Sequence, residues 1–336
     1  MMPSDSSMPC GARIAGTGSA VPATVWTNDD LAKTLDTSDE WITQRTGIRQ
    51  RHVCIAGDES AFSLQCEALS KALADAGMEA SELDLIIVAS VTNEMTCPSN
   101  ACRVAAELGA APAGAFDLVA ACSGFVYSLN LADSLIRTGR HRAIGIVGCD
   151  AMSNVVDFNE RTVSVLFGDA AGAAVIVRDD DPNKGCVYQT LQADGSGWKA
   201  LFLPRKESDV PPESPPCDIE MGFLRMEGRE VYRFAVSKFK NVIEDAMQAT
   251  GLGVDDVSQF ICHQSNIRII ESAKEKLGLP DDKVYVNIDR YGNTSAGSVG
   301  LCLDEIRRAG KIHEGETIIL VAFGGGLTWA SSVWNL

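Results

Sequence analysis

The sequence predicts an α/β fold built from two similar halves. Short apolar runs typical of buried strands alternate along the chain with segments whose apolar residues recur at helical spacing. With 336 residues, the chain is long for one hydrophobic core and comfortable for two. Three segments of the first half also match three of the second half in character and order: LDLIIVASVTN with VSQFICHQSN, FDLVAACSGF with YVNIDRYGNTSAG, and FGDAAGAAVIV with FGGGLTWASSV. We therefore expect a duplication with halves at residues 1–181 and 182–336.

The individual elements follow from local patterns. A strand and a Gly-rich turn are predicted over 13–22, and the next helix, over 27–34, begins at a typical capping residue, Thr27 or Asn28. Further helices are predicted from the periodic apolar residues over 60–76, from 124 onward, and over 232–249, 267–277 and 298–309. Further strands are predicted over 83–89, 116–121, 142–148, 167–177, 257–262, 284–288 and 317–326. The Pro-rich stretch 205–217 is too long for a tight connection and predicts a surface loop or lid.

Composition and charge narrow the functional classes. A formal net charge of −16 disfavours nonspecific binding to nucleic acid or to an anionic membrane. The first ten residues lack the basic and apolar regions of a secretory signal, and no apolar run is long enough to cross a bilayer, so we expect a cytoplasmic protein. Eleven cysteines without a CxxC pair indicate reduced thiols. The four histidines have no partners at metal-ligand spacing, so no metal site is predicted.

Cys122 stands where an apolar strand is predicted to give way to a helix. From Gly124 onward the apolar residues recur at helical spacing, which places the thiol on the first helical turn. Unpaired backbone N–H groups and the positive end of the helix dipole favour the thiolate there, and the thiolate is the form that attacks carbonyl carbon. The alternative is a small apolar side chain in a core, which is the common fate of a free cysteine.

Three segments of the second half supply groups that a nucleophilic thiol would need. His263 follows a predicted buried strand, Asn293 lies in a Gly-bracketed turn, and residues 324–326 are three glycines at a strand end. Imidazole and carboxamide donors can stabilise an oxyanion or an enolate, and glycines allow a backbone N–H to approach the same point. Taken alone, such segments are more often a structural histidine, a connecting turn or a bend.

Taken together, the motifs resemble those of the β-ketoacyl-acyl carrier protein synthase III family. They are AACSGF, HQSNIRI, YGNTSAGS and FGGGLTW in this order, preceded by DTSDEWITQRTGI, and the resemblance runs from Arg13 to the end of the chain. It implies a thiolase fold, with two duplicated halves packed as α-β-α-β-α layers, and a homodimer. It also implies a catalytic triad of Cys122, His263 and Asn293.

The resemblance implies roles for further residues around the triad. The oxyanion hole falls on the main-chain N–H groups of Cys122 and Gly326, and apolar or steric gates of the substrate pocket fall on Phe323 and Cys97. The coenzyme A contacts fall on Trp41, Arg45 and Asn154; the last stands where many members have an arginine that stacks on the adenine. An arginine at the tunnel mouth falls on Arg268. Lys274 and Lys276 lie beside it on the same predicted helix, and we expect the three to bind an acidic carrier protein.

The activity implied is a decarboxylative Claisen condensation. An acyl-CoA primer, such as acetyl-CoA, acylates the cysteine, and malonyl-acyl carrier protein then gives 3-oxoacyl-acyl carrier protein, the first condensation of fatty-acid synthesis. The CoA thioester is a substrate, and no cofactor, metal, nucleic acid or membrane is expected. Two alternatives stay open: a related condensing enzyme of secondary metabolism, of which the olefin-forming type has glutamate in place of Cys97, and a non-catalytic subunit, a class that typically lacks the cysteine.

Overall fold

The computed structural model describes residues 10–55, 57, 59–212, 214 and 220–336. The strands are β1 (Gly11–Ala20), β2 (Val25–Thr27), β3 (Gln50–His52), β4 (Leu85–Ala89), β5 (Gly114–Leu118), β6 (Ala143–Asp150), β7 (Ala170–Asp179), β8 (Gly185–Ala193), β9 (Leu201–Phe202), β10 (Arg225–Met226), β11 (Gln259–Cys262), β12 (Thr317–Gly324) and β13 (Thr328–Asn335). The helices are α1 (Asn28–Ala32), α2 (Asp39–Thr46), α3 (Ala61–Ala76), α4 (Asn100–Leu108), α5 (Gly124–Arg137), α6 (Arg161–Ser164), α7 (Gly228–Thr250), α8 (Ile267–Leu277), α9 (Ile288–Tyr291) and α10 (Gly297–Arg308).

Two main sheets have the same strand order. The first runs β1-β7-β6-β4-β5, with β4 parallel to both of its neighbours and β7 antiparallel to β6 and β1. The second runs β8-β13-β12-β11, and a single bridge from Phe260 to Val284 stands where a fifth strand would pair. In each sheet the first strand of the half pairs with the last. This correspondence supports the predicted halves at 1–181 and 182–336, although the boundary itself stays a prediction.

Helices fill the space between the sheets and cover their outer faces. α5 and α10 pack between the two sheets, α3 and α4 cover the first, and α7 and α8 cover the second. The order of layers is therefore α-β-α-β-α. The inner layer needs close approach: a Cβ atom on Gly172 of β7 would lie 2.3 Å from the carbonyl carbon of Gly300 in α10, so only glycine allows this contact.

Elements with strong local signals agree with the sequence. α8 has the predicted bounds, and the Thr27 side chain caps α1 as expected. α3 ends at Ala76 as predicted, and the side chain of Ser60 caps its start. The sequence patterns did not predict four elements as separate ones: β8, β13, α2 and α4.

Two predicted strands differ from the structure. Residues 116–121 were expected to form a buried strand, but β5 ends at Leu118 and lies at a sheet edge, where Phe116 is 37% exposed. Residues 284–288 make only the Val284 bridge before α9 begins. Both segments are apolar, so local pattern could not reveal that a neighbouring strand is missing. The predicted loop at 205–217 lies partly outside the described residues.

Candidate active site

The residues around Cys122 form a tight strand-turn-helix junction. After β5, one 3₁₀ turn spans Ala121–Ser123, and α5 begins at the next residue. Ala121 has a φ of 47°, a left-handed conformation that non-glycine residues seldom adopt. A Cβ atom on Gly124 would lie 2.7 Å from the Cβ of Ala89 in β4, so glycine lets the helix start this close to the sheet. The cysteine therefore stands at the start of the helix, as predicted, and is 8% exposed.

His263 follows β11 and is held on three sides. Its N–H donates to the Val321 carbonyl at 2.8 Å, and its Nδ1 lies 2.6 Å from the Ser298 hydroxyl. The imidazole meets the Phe323 ring edge to face, with 5.3 Å between ring centroids. The ring is fully buried, so these contacts fix both its position and its orientation.

Asn293 is fixed by contacts to both halves of the chain. Its N–H donates to the Leu166 carbonyl at 2.8 Å, and its carbonyl accepts the Gly168 N–H at 3.1 Å. The side-chain Oδ1 accepts the Ser295 N–H at 2.9 Å, which leaves the amide Nδ2 as its donor. The first half thus holds a candidate catalytic side chain that the second half supplies.

One pocket joins these residues. Cys122, His263, Asn293 and Phe323 all line it. Most of the remaining lining is apolar and comes from Leu166, Leu201, Met226, Val231, Phe234 and Ile269. The arrangement places a thiol, an imidazole and a carboxamide on the wall of one largely apolar pocket, which suits acyl transfer and enolate chemistry.

Burial sets the charge state of the pocket. It raises the pKa of the Cys122 thiol to about 12, because desolvation outweighs the hydrogen bond with Ser295, which lowers the pKa; the Asp150 carboxylate acts in the same direction as burial. Burial also lowers the pKa of His263 to about 3. The expected preference for thiolate is therefore wrong for the resting site, because the desolvation of a buried sulfur opposes the helix dipole. The resting pair is a neutral thiol beside a neutral imidazole.

The glycine loop approaches the nucleophile through Gly324. A Cβ atom there would lie 2.7 Å from the Cys122 nitrogen, so no larger residue fits. The Thr328 hydroxyl ties the loop to the junction, at 3.1 Å from the Ala120 carbonyl and 3.0 Å from Ser123 Oγ. Gly326 is not among the residues that line the pocket. Its predicted share in the oxyanion hole stays a prediction.

Two arginines, Arg161 and Arg45, lie over the Trp41 ring, where the resemblance placed Asn154 and Arg45. The Arg161 guanidinium lies 5.1 Å from the centre of the Trp41 ring, and that of Arg45 lies 4.8 Å from it. Asn154 is exposed in the 3₁₀ turn Met152–Asn154. Asn154 is not among the described ring contacts of Trp41, and its predicted role in CoA binding stays a prediction. The only available signal was a lone arginine in the polar stretch DFNERT.

The three predicted docking residues differ in their surroundings. Arg268 donates from Nε and Nη2 to the Gln44 carbonyl, at 3.1 and 2.9 Å, and so fastens α8 to α2. Lys276 is exposed. Lys274 is only 11% exposed and pairs with Glu271 at 2.9 Å and Asp281 at 2.7 Å. Its charge is already compensated, so Lys274 does not suit the docking role predicted for it.

Two exposed arginines near the pocket were not singled out in the sequence. Arg229 and Arg233 lie on α7, beside pocket-lining residues Val231 and Tyr232. Charged residues on an exposed helix face are common, and the local sequence around these two arginines does not indicate that they lie near the pocket.

Cys97 stands on an exposed loop away from these groups. It and its neighbour Met95, which is 46% exposed, are outside the lining of the described pocket. Among the described residues, no cluster of histidine, cysteine and acidic side chains suits a metal ion. No helix in the described part of the chain has the length and apolar character to cross a bilayer.

The layers and the cysteine pocket define a condensing enzyme of the thiolase fold, an acyltransferase. The family "3-Oxoacyl-[acyl-carrier-protein (ACP)] synthase III" matches residues 116–195, and its C-terminal domain matches residues 247–336. The β-ketoacyl-[acyl-carrier-protein] synthase III of Caldanaerobacter subterraneus is 45% identical over 96% of this chain and 97% of its own length. The chain belongs to the 3-oxoacyl-[acyl-carrier-protein] synthase III family.

Solved structures agree with this membership. The synthase III of Aquifex aeolicus aligns with a TM-score of 0.89 and 40% identity, covering 97% of this chain and 100% of the other. A priming β-ketosynthase of a polyketide pathway aligns with a TM-score of 0.90 and 35% identity, covering 98% and 97%. The predicted thiolase fold and family are confirmed.

The charge state of Cys122 can be measured by alkylation. Because burial holds its pKa near 12, we expect the rate of iodoacetamide labelling at Cys122 to rise about tenfold per pH unit from pH 6.5 to 9.5, since only the thiolate reacts. Peptide mapping reads the site, and N-acetylcysteine labelled in parallel serves as the reference for a free thiol. A plateau in the Cys122 rate below pH 8 would show that the helix terminus outweighs burial.

Proposed function

We propose that this chain condenses an acyl-CoA primer with malonyl-acyl carrier protein, releasing carbon dioxide and forming 3-oxoacyl-acyl carrier protein. The observation that carries the proposal is an apolar pocket that Cys122, His263 and Asn293 line together. A buried thiol can hold an acyl group as a thioester, and two neutral donors can stabilise the enolate of the second substrate.

In the first half-reaction, the Cys122 sulfur attacks the thioester carbonyl of acyl-CoA. The N–H groups of Cys122 and Gly326 stabilise the oxyanion of the tetrahedral intermediate, and CoA leaves. The close fit of Gly324 against the Cys122 nitrogen supports this arrangement, because it keeps the glycine loop beside the nucleophile.

In the second half-reaction, His263 and Asn293 bind the enolate oxygen formed as carbon dioxide departs. Ser298 Oγ lies 3.4 Å from the Gln264 N–H and 2.6 Å from His263 Nδ1. Because the hydroxyl accepts from Gln264, it can donate to Nδ1, and the imidazole proton then resides on Nε2 as a donor. The adjacent Phe323 ring disfavours a carboxylate and so favours decarboxylation.

Removal of either enolate donor tests the division of roles. In His263→Ala and Asn293→Ala, condensation should fall about 10²- to 10³-fold, as for other oxyanion donors. Acyl-enzyme formation should fall much less, because neither donor contacts the first oxyanion. Transfer of radiolabel from acetyl-CoA to protein measures the first step, and 3-oxoacyl-acyl carrier protein formed from preloaded enzyme measures the second. Equal losses in both steps would contradict the assignment.

The CoA nucleotide is proposed to bind at Trp41. Arg161 and Arg45 both lie over this ring and supply cations for the adenine face and the phosphates. Arg161 donates to the Asp36 carbonyl at 2.7 Å. A base that stacks on Trp41 has to displace the Arg161 guanidinium, which then covers its outer face.

The acidic carrier protein is proposed to dock on the basic residues around the pocket. Arg229 and Arg233 on α7 join Arg268 and Lys276 on α8 in this surface. In a chain with a net charge of −16, such a local group is needed to attract an acidic partner.

Charge reversal at Arg233 tests this surface. Arg233→Glu should raise the KM for malonyl-acyl carrier protein by about two- to tenfold, because it reverses the charge of one exposed ionic contact. The KM for acyl-CoA should stay unchanged. Lys274→Gln is the matched control, because its ammonium is already paired. Steady-state kinetics at two salt concentrations give the readout; an unchanged KM in Arg233→Glu would remove α7 from the docking surface.

A homodimer formed through β5 is proposed. β5 is an edge strand, and just beyond it Val119 is 76% exposed. Exposed apolar edges are normally covered, and a second copy pairing here would continue the sheet. The loop that carries Cys97 would then lie beside the partner, and the Cys97 side chain would limit the length of the partner's acyl pocket.

The primer is proposed to extend beyond acetyl. Because a cysteine is much smaller than phenylalanine, Cys97 leaves room, although Met95 could fill part of it. Cys97→Phe should depress butyryl- and hexanoyl-CoA selectively, by about fourfold in kcat/KM for each methylene excluded, whereas acetyl-CoA stays near the wild-type value. Competing primers in one assay give the ratio, and a uniform drop would disprove the pocket-end role.

Sequence identity to the known relatives favours a role in fatty-acid synthesis over one in secondary metabolism. The Aquifex aeolicus synthase III is 40% identical and the polyketide ketosynthase 35%, over similar coverage. The cytoplasmic location stays a prediction.

A further inference from the structure

The helix that carries the proposed nucleotide contacts is short. α2 has eight residues, and both Trp41 and Arg45 lie on it. A helix of about two turns is not stable alone in water, and its last carbonyl groups have no partners within the helix. The positions of the Trp41 ring and the Arg45 guanidinium therefore depend on the contacts that hold the ends of α2.

The two ends of α2 are held differently. At its start, the Ser38 hydroxyl accepts the Trp41 N–H at 3.2 Å, which is a local cap. At its end, the Arg45 carbonyl accepts a hydrogen bond at 3.2 Å from Nδ2 of Asn266, which lies 221 positions further along the chain. Asn266 is the residue that precedes α8, so the second half of the chain supplies the cap at this end.

Arg268 in the first turn of α8 makes the strongest of these contacts. Its Nε and Nη2 donate to the Gln44 carbonyl at 3.1 and 2.9 Å. A guanidinium gives charge-assisted hydrogen bonds, and a cation at the C-terminal end of a helix also interacts favourably with the helix dipole. The Arg268 N–H in turn donates to Asn266 Oδ1 at 2.9 Å, so the start of α8 orients both capping side chains.

The backbones of the two helices also approach each other closely here. Gly47 ends α2 with a φ of 83°, in the left-handed region. A Cβ atom on Gly47 would lie 2.7 Å from the Cβ of Ile267, so only glycine lets α2 end against α8. Residues 266–268 therefore hold the whole last turn of α2.

The same segment of α8 also reaches the pocket. Asn266 and Ile269 line it together with Cys122, whereas Arg268 is not among the lining residues. The described hydrogen bonds of the Arg268 guanidinium go to α2 alone. This side chain is therefore placed to act on the helix of the nucleotide contacts rather than on the reacting thioester.

We propose that Arg268 is a positioning residue for the CoA nucleotide. By capping the C-terminal carbonyls of α2, it holds Trp41 and Arg45 where the adenine and the phosphates of acyl-CoA bind. The inference rests on the proposed function, and it gives Arg268 a part in the first half-reaction. The carrier protein takes no part in that step, so the test is independent of the docking surface.

Acylation by two thioesters tests this role. Acetyl-CoA carries the nucleotide, whereas acetyl-pantetheine has the same thioester and arm without it. In Arg268→Met, the second-order rate constant for acylation by acetyl-CoA should fall about tenfold, because the charge-assisted hydrogen bonds to α2 are lost. The loss should come from a higher half-saturating concentration at an unchanged maximal rate. The constant for acetyl-pantetheine should keep its wild-type value, and intact mass over time measures both.

Two further variants of α8 control for the loss of a cation. Lys274→Met removes a cation from the same helix, but the described partners of Lys274 are Glu271 and Asp281, so both rate constants should stay at the wild-type values. Arg268→Lys keeps a cation at the end of α2 and should recover part of the loss with acetyl-CoA.

Trp41→Ala separates failure of the inference from failure of the proposed nucleotide site. It should lower acylation by acetyl-CoA and leave acetyl-pantetheine unchanged. If Trp41→Ala behaves in this way, a wild-type rate constant for acetyl-CoA in Arg268→Met, or an equal loss with both thioesters, would overturn the inference alone. Equal losses with both thioesters in Trp41→Ala would overturn the nucleotide site and the inference together.

Discussion

Burial between the two halves controls the chemistry of this pocket. Desolvation keeps the Cys122 thiol protonated and the His263 imidazole neutral. A neutral imidazole can donate a hydrogen bond to an enolate, and a neutral thiol resists unwanted alkylation and oxidation until a thioester is bound. The thiol therefore has to lose its proton as it attacks; its described hydrogen-bond partner is the Ser295 hydroxyl, 3.4 Å from the sulfur.

The same burial makes each half depend on the other. The first half contributes the nucleophile and the carbonyl of Leu166, which fixes the backbone of Asn293 from the second half. The close contact between Gly172 and Gly300 brings α10 against the first sheet and sets the position of the turn that precedes it. A displacement of either half by one side-chain diameter would separate the thiol from its partners.

Local signals in the sequence predicted part of this arrangement. Capping at Thr27, the bounds of α8 and the position of Cys122 depend on near neighbours and were predicted correctly. The edge position of β5 depends on distant segments and was not predicted. The charge of Cys122 was predicted wrongly for the same reason, because the helix terminus is local whereas desolvation arises from the whole pocket. Arg161 contacts Trp41 only because the fold brings two distant segments together, and no local pattern in the sequence indicates this contact.

The most direct test of the account is the site of the covalent intermediate. Incubation of the protein with acetyl-CoA, followed by intact mass and peptide mapping, should give one acetyl group on Cys122 and on none of the other ten cysteines among the eleven of the chain. The adduct should be absent from Cys122→Ala, whose smaller side chain leaves the fold unchanged. An acetyl group on another cysteine, or wild-type labelling of Cys122→Ala, would contradict the account.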